Sequence, residues 1–323
     1  MSLPPSAPST AVTGPASTRG PVSVGRRLSW HAGVTLVVVL CAVYAARRHW
    51  RVIETGAGRL AVADRGWLLV ATAATVATWA CSALAQQGAV ARPLPTGRLV
   101  AVQFAASAAN HVLPAGIGAG AVNLRFLTRC GLPVTRSATA LAVKATAGTV
   151  VRGCLIAALA LACPGALRFP HVSATAWAVT VAVAATAVVL VSGPLRRALR
   201  AVLADVRAVH EVPARAAALW GGSLAFASLH AAVVIAVTQA IDLPLPPAQV
   251  ALAYLAASSA AVLLPTPGGF GSLDAALALA LTLAGAPGSA AASAVLGYRL
   301  LTVWLPLLPG LLALGVLVRR RVL

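Results

Sequence analysis

The chain has 323 residues, 59% of them hydrophobic and 10% charged, with a mean hydropathy of +0.89. A soluble core of that size would carry amphipathic periodicity interrupted by charge, so the composition excludes an ordinary soluble domain and predicts a polytopic all-α membrane protein. Its 25 Lys and Arg against 6 Asp and Glu come without a zinc-finger, RNA-binding or P-loop pattern, so no nucleic-acid partner is expected.

In chain order, residues 1–27 are predicted to be a disordered tail rich in Pro, Ser, Thr, Ala and Gly, and 28–318 a single transmembrane domain. Arg26 and Arg27 precede the apolar run Leu28–Ala46, read as an anchoring first span rather than a cleaved leader, with Arg47 and Arg48 as its stop. Residues 47–66 hold five arginines and could lie along the membrane surface. Uncharged runs then follow at Trp67–Ala91, Leu99–Leu124, Val172–Leu195, Ala216–Ile241, Leu243–Leu273, Ala275–Tyr298 and Leu300–Val318. Each reaches the roughly 18 to 20 residues that a spanning helix needs. A long helix from about Ser137 to Cys163 carries Lys144 and Arg152, and residues 194–215 form a basic amphipathic stretch typical of a cytoplasmic surface helix. The count comes to about eight transmembrane helices plus two broken segments, ending in the basic residues 319–323. The five cysteines lie scattered without a CxxC pair and read as small buried hydrophobes; no cofactor and no metal are expected.

The two broken segments organise the rest. Leu263–Arg299 contains Pro265 and Pro267, which stop a helix, then Gly268, Gly269 and Gly271, which permit left-handed or tight geometry. Ser272 and Asp274 follow in the order of an N-cap and a first helical turn. Such a break survives at membrane depth only where protein or a water-filled cavity shelters the backbone. Leu113-Pro114 matches Leu264-Pro265 at an offset of 151 residues, as do Gly118/Gly269 and Gly120/Gly271, and Asn123 falls opposite Asp274. After a three-residue shift Gly131-Leu-Pro133 meets Gly285-Ala-Pro287, which predicts repeat halves of about 99–163 and 248–318. With both termini cytoplasmic, 16 Lys and Arg fall inside and 6 outside, and three crossings between the motifs invert the second relative to the first. Inverted repeats with discontinuous helices are a recurrent transporter design.

Candidate site residues are the ionisable and polar groups inside these apolar segments. Asp274 reads either as a helix-dipole cap or as a partner for a buried cation or a substrate ammonium. Arg299 reads either as a structural partner of Asp274 or of backbone carbonyls, or as a grip on a lipid phosphate. Lys144 and Arg152, eight residues apart, share roughly one helix face; Lys144 could snorkel, whereas Arg152 lies two turns deeper. Asn110 and His111 precede the first loop, and with Asn123 in place of an acid and Arg125 beyond, that loop leaves helix amides for an anion.

Pro114–Arg125, the loop Pro265-Thr-Pro-Gly-Gly-Phe-Gly271-Ser-Leu-Asp274 and Gly297-Tyr298-Arg299 together resemble the flippase-like membrane region of lysylphosphatidylglycerol synthases. The PxPGGxGxx(acid) loop followed by Tyr-Arg about 25 residues later is the specific part, and the likeness runs from about residue 30 to 318. Asp274 stands where the longer Glu is expected. The resemblance implies lipid translocation or lipid binding, at a site drawn from Gly268, Gly269, Gly271, Asp274, Tyr298, Arg299, Asn123, Arg125, Lys144 and Arg152. The sequence holds no soluble domain for aminoacyl transfer, so synthesis is not expected. The expected partners are membrane lipids with an anionic or lipid-linked headgroup, in a bacterial-type plasma membrane, with a lipid-modifying enzyme as a candidate protein partner. Alternatives are a non-transporting lipid-binding subunit and, ranked last, a lipid-modifying enzyme, for which one intramembrane acid supplies no paired carboxylates, nucleophile–base pair or metal cluster.

Overall fold

The computed structural model describes Glu54, residues 58–112, 117–163, Arg207 and residues 209–263 and 271–323, and nine α-helices are delimited among these described residues. The tail 1–27, the first span 28–46, the span Val172–Leu195, most of the stretch 194–215 and the loop carrying Gly268 and Gly269 lie outside the described residues. Among the described residues no strand occurs. The helices are α1 (Arg65–Gly88), α2 (Thr96–Val112), α3 (Ile117–Arg129), α4 (Val134–Ala162), α5 (Pro213–Ala240), α6 (Pro247–Leu263), α7 (Ser272–Leu283), α8 (Gly288–Arg299) and α9 (Leu305–Arg319), with a π turn at Leu300–Trp304 joining the last two. Four stretches, Arg65–Gly88, Val134–Ala162, Pro213–Ala240 and Gly288–Arg319, are long and apolar enough to cross a membrane. The protein is therefore an integral membrane protein.

The remaining helices are shorter over their described residues, and they pair. At 1.5 Å per residue α3 and α7 reach only about 20 Å against a hydrocarbon core of about 30 Å. α3 packs on α2 and α7 on α6. Arg92, ahead of α2, donates from Nη1 to the Cys130 carbonyl just past α3 at 3.2 Å, so that pair begins and ends at one level. Gly285, past α7, likewise lies beside Leu245, ahead of α6.

The turns that end α3 and α7 repeat bond for bond. α2 and α6 begin and end 151 residues apart, and α3/α7 and α4/α8 then run in register at 154. In the first half Gly131 N–H meets Thr128 O at 3.0 Å and Leu132 N–H meets Leu127 O at 3.2 Å; in the second, Gly285 N–H meets Thr282 O at 3.0 Å and Ala286 N–H meets Leu281 O at 3.0 Å. These are Schellman ends, which place the C′ residue in the left-handed region. Gly131 (φ 87°) and Gly285 (φ 106°) take that place without the Cβ penalty. Pro133 and Pro287 then open the next helix with φ −57° and −58°. The 151-residue offset thus holds for α2/α6, but the three-residue shift falls before α3/α7, so Gly120/Gly271 and Asn123/Asp274 do not occupy matching helical positions, and Gly269 of the Gly118/Gly269 match lies outside the described residues.

The inversion rests on α1 and α5, which lead into the two halves and pack antiparallel. Asp64, capping α1 through a 2.9 Å bond from Trp67 N–H, donates its own amide to Ala240 O at the far end of α5. Gly88 at the other end of α1 faces Arg215 and Leu219 near the start of α5, and Gly222 faces Ala85 and Cys81. Small residues at this crossing let two backbones close without a hydrophobic driving force, as membrane helices require. Cysteines introduced at Gly97 and Gly288, where a Cβ meets nothing within 4 Å, should react with an impermeant thiol reagent from opposite faces of a sealed vesicle in a background lacking native cysteines. Labelling of both from one face would rule out the inverted arrangement.

One local detail differs from the sequence reading. Gly271, with φ 89°, is the cap of α7, and Ser272 is its first helical residue. The Asp274 carboxylate reaches back to accept the Gly271 amide at 3.0 Å, so a main-chain donor is satisfied without a capping hydroxyl. The π turn has its own cause: Pro306 has no N–H to continue an α-helical ladder and its ring would crowd the Thr302 carbonyl. The chain widens by one residue, and Leu305 N–H bonds Leu300 O.

Candidate functional site

A cavity of about 630 Å³ runs along α4, and a second of about 230 Å³ adjoins it between α1, α2, α3 and α5. They share Ser82, Lys144 and Phe226 in their walls. Lys144, the only lysine in the chain, sits at the junction. Its Nζ donates to Ser82 Oγ at 2.9 Å and to Gln103 Oε1 at 3.2 Å. Ser82 Oγ donates to the same Gln103 oxygen at 2.9 Å, and Gln103 Nε2 donates to Asn123 Oδ1 at 2.7 Å. Asn123 Nδ2 closes the chain on Ala119 O at 2.9 Å. The ammonium is therefore held by neutral oxygens from α1 and α2, which orient it without cancelling its charge.

Arg152 lines the larger cavity two turns further along α4. At 1.5 Å per residue the eight-residue spacing sets the two cations about 12 Å apart along the axis, on either side of the helix midpoint near Gly148. The Arg152 Nε is buried and has no hydrogen-bond partner among the described residues. The rest of the wall is Ala, Gly, Leu, Ile and Phe with the hydroxyls of Ser82, Thr149, Ser223 and Ser259, and among the described residues no acid lines either cavity. Two cations in an apolar, hydroxyl-dotted trough provide a place for an amphiphile whose polar end is negative.

The second half supplies a different cluster. Arg299 Nε donates to Asp274 Oδ1, and the arginine is 5% exposed, so α7 is tied to the end of α8 by an ion pair inside the apolar layer. Neither residue lines the two cavities. Tyr298, buried beside Arg299, donates its hydroxyl to Tyr254 Oη at 3.2 Å and lies 3.3 Å from His230 Nδ1. His230 in turn lines the smaller cavity.

Of the residues singled out in the sequence, the structure brings Lys144, Arg152, Asn110 and Asn123 to the cavities, and links Tyr298 to them through His230. It pairs Asp274 with Arg299 and places Gly271 at their helix cap. Arg125 is exposed and lines neither cavity. Asn110 Oδ1 faces the Ala119 amide at 3.5 Å, one of the amides left open for an anion in the sequence reading. Ser82, Gln103, His230 and Tyr254 were not singled out. Each is a lone polar residue in an apolar run, and the only signal was that loneliness.

At one end of the bundle a third cavity of about 440 Å³ is lined by Arg92, Arg136 and Arg215 beside the Gly131 turn. Its wall includes Val209, which packs in one cluster with Leu317 and Leu323 near the C-terminus. The opposite end carries Asp64, Asp242 and the Gly285 turn.

Residues 30–310 match the family described as the lysylphosphatidylglycerol synthase TM region, well over half of the chain. No curated protein matches it.

Proposed function

Since the chain belongs to the lysylphosphatidylglycerol synthase transmembrane-region family, we propose that it binds a membrane lipid by its headgroup in the α4 trough and moves that headgroup between leaflets. The observation that carries this reading is the pair of cations on α4. An intramembrane Lys or Arg costs at least about 2.5 kcal/mol on insertion scales, so two on one helix face call for a compensating role. A lipid phosphate answers both. It can replace the neutral oxygens around Lys144, and Arg152 offers a planar fork that grips two phosphate oxygens at once. Acyl tails stay against the apolar wall and the hydrocarbon while the headgroup passes from one cation to the other.

The repeat supplies a means of alternation. Two short-helix pairs of opposite orientation flank the trough, and rocking one half against the other would open it to each side in turn. The arginine-lined end is assigned to the cytoplasm by the excess of positive charge there. With it we propose that both termini face the cytoplasm, across a bacterial-type plasma membrane. The function is translocation without covalent change to the lipid, so no catalytic residue is assigned.

Gly148 gives the test. It lines the trough between the cations, and a Cβ there meets nothing within 4 Å, so Gly148→Trp should fill the path without disturbing the packing. With purified protein in vesicles, transfer of a labelled anionic phospholipid should slow by at least about tenfold, equivalent to about 1.4 kcal/mol on the barrier. The elution profile of the folded protein should stay unchanged. Transfer at the wild-type rate would remove the trough from the path. Lipid binding without transfer in the wild type would identify a lipid-binding subunit instead.

A further inference from the structure

Resting on the reading of the α4 trough as a lipid site, we infer that it selects headgroups that are net anionic and carry no ammonium, and rejects aminoacylated lipids. A lysyl ester on phosphatidylglycerol adds two ammonium groups to one phosphodiester and turns the headgroup from net negative to net positive. To hold it, a site needs a carboxylate or a dense set of free acceptors near the phosphate grip. Among the described residues the trough offers the phosphate grip and a few scattered hydroxyls, with no carboxylate.

Three observations carry the inference. Among the described residues the walls contain Lys144 and Arg152 and no acid. The acceptors nearest Lys144, Ser82 Oγ and Gln103 Oε1, already receive its protons at 2.9 and 3.2 Å, so an incoming ammonium would compete with a resident one. The chain has six acids, and five of them, Glu54, Asp64, Asp205, Glu211 and Asp242, fall outside the apolar segments. The sixth, Asp274, gives one oxygen to Arg299 and the other to the Gly271 amide. A cationic headgroup in this trough therefore meets two like charges and no counter-charge, in a medium that screens them less than water does.

The test compares phosphatidylglycerol with lysyl-phosphatidylglycerol, which share the glycerophosphate and tails, on the full-length purified protein by native mass spectrometry. The wild type should bind the lysyl lipid at least about tenfold more weakly, one decade in Kd. Lys144→Gln and Arg152→Gln should each weaken phosphatidylglycerol and narrow the gap. Thr149→Glu, an exposed position on the wall, should narrow it from the other side by admitting the ammonium. Phosphatidic acid, with a second negative charge, should bind at least as well as phosphatidylglycerol. Equal or tighter binding of the lysyl lipid by the wild type, with transfer of phosphatidylglycerol intact in vesicles, would overturn the selectivity and leave the lipid site standing. Failure of phosphatidylglycerol to bind above phosphatidylcholine would overturn both the selectivity and the lipid site.

Discussion

Asp274→Ala is expected to lower the stability of the folded protein by about 3 kcal/mol, near the lower end of what removing one partner of a buried ion pair costs. The lower end applies because the aspartate side chain keeps 29% of its exposure while the arginine side chain keeps 6%. The loss has two parts. The Arg299 guanidinium stays in an apolar helix without this carboxylate, and the Gly271 amide loses its acceptor at the start of α7. Asp274→Asn retains an acceptor for one of those donors and should cost less. The combined change Asp274→Leu with Arg299→Met removes both charges and should recover most of the loss, since a buried pair replaced by apolar groups of similar volume is often neutral. Reversible denaturant titration in detergent, with the double-mutant cycle closed, measures each step. A cost below about 1 kcal/mol for Asp274→Ala would mean that the pair is solvated and contributes like a surface bridge.

Gly88→Val should be at least as damaging, through geometry. A Cβ at Gly88 would lie 2.3 Å from the Leu219 amide nitrogen and 2.7 Å from the Arg215 carbonyl, and those backbone atoms cannot swing aside. α1 and α5 must separate, and the whole small-residue seam between them loosens with Gly88. The expected cost is about 3 kcal/mol or more, the upper range for overpacking. Gly221→Ala is the control. It lies on α5 beside Gly222, but its Cβ meets nothing within 4 Å, so it should be neutral or stabilising by about 0.5 to 1 kcal/mol through the entropy of the unfolded chain. Folded yield and denaturation midpoint report both variants. Equal behaviour of the two would show that the crossing tolerates a side chain.

Much of this architecture was legible in the sequence because its turn chemistry is positional. Gly131-Leu-Pro133 and Gly285-Ala-Pro287 announce a left-handed helix end followed by a fixed-φ helix start, and both halves form them with matching hydrogen bonds. The Asp274–Arg299 pair was legible for a similar reason: opposite charges isolated in an apolar region have few other partners to find. The trough was not. Ser82, Gln103 and His230 come from three helices, α1, α2 and the distant α5, and a single polar residue in an apolar run carries no periodic sign of the face it occupies. Lys144 and Arg152 were read on one face from their spacing alone, but which helices supply the opposite wall depends on the α1–α5 crossing, a tertiary fact. Asn123 was read through its counterpart Asp274, yet its amide joins α3 to the Gln103 and Lys144 chain.

The π turn at Leu300–Trp304 has a consequence for how the last long helix is read by its neighbours. One extra residue in a turn advances everything after it by about 100° of rotation. Upstream of that step, α8 presents Tyr298 and Arg299 to α5, α6 and α7 of its own half. Downstream, α9 presents Gly310 to Ala108 and Phe104 of α2 in the other half, so closely that a Cβ at Gly310 would lie 2.6 Å from the Ala108 methyl. A single shaft thus carries two faces cut at different angles, each keyed to a different half. Deleting one residue within 300–304 would leave composition and hydropathy almost untouched while turning one key out of its lock.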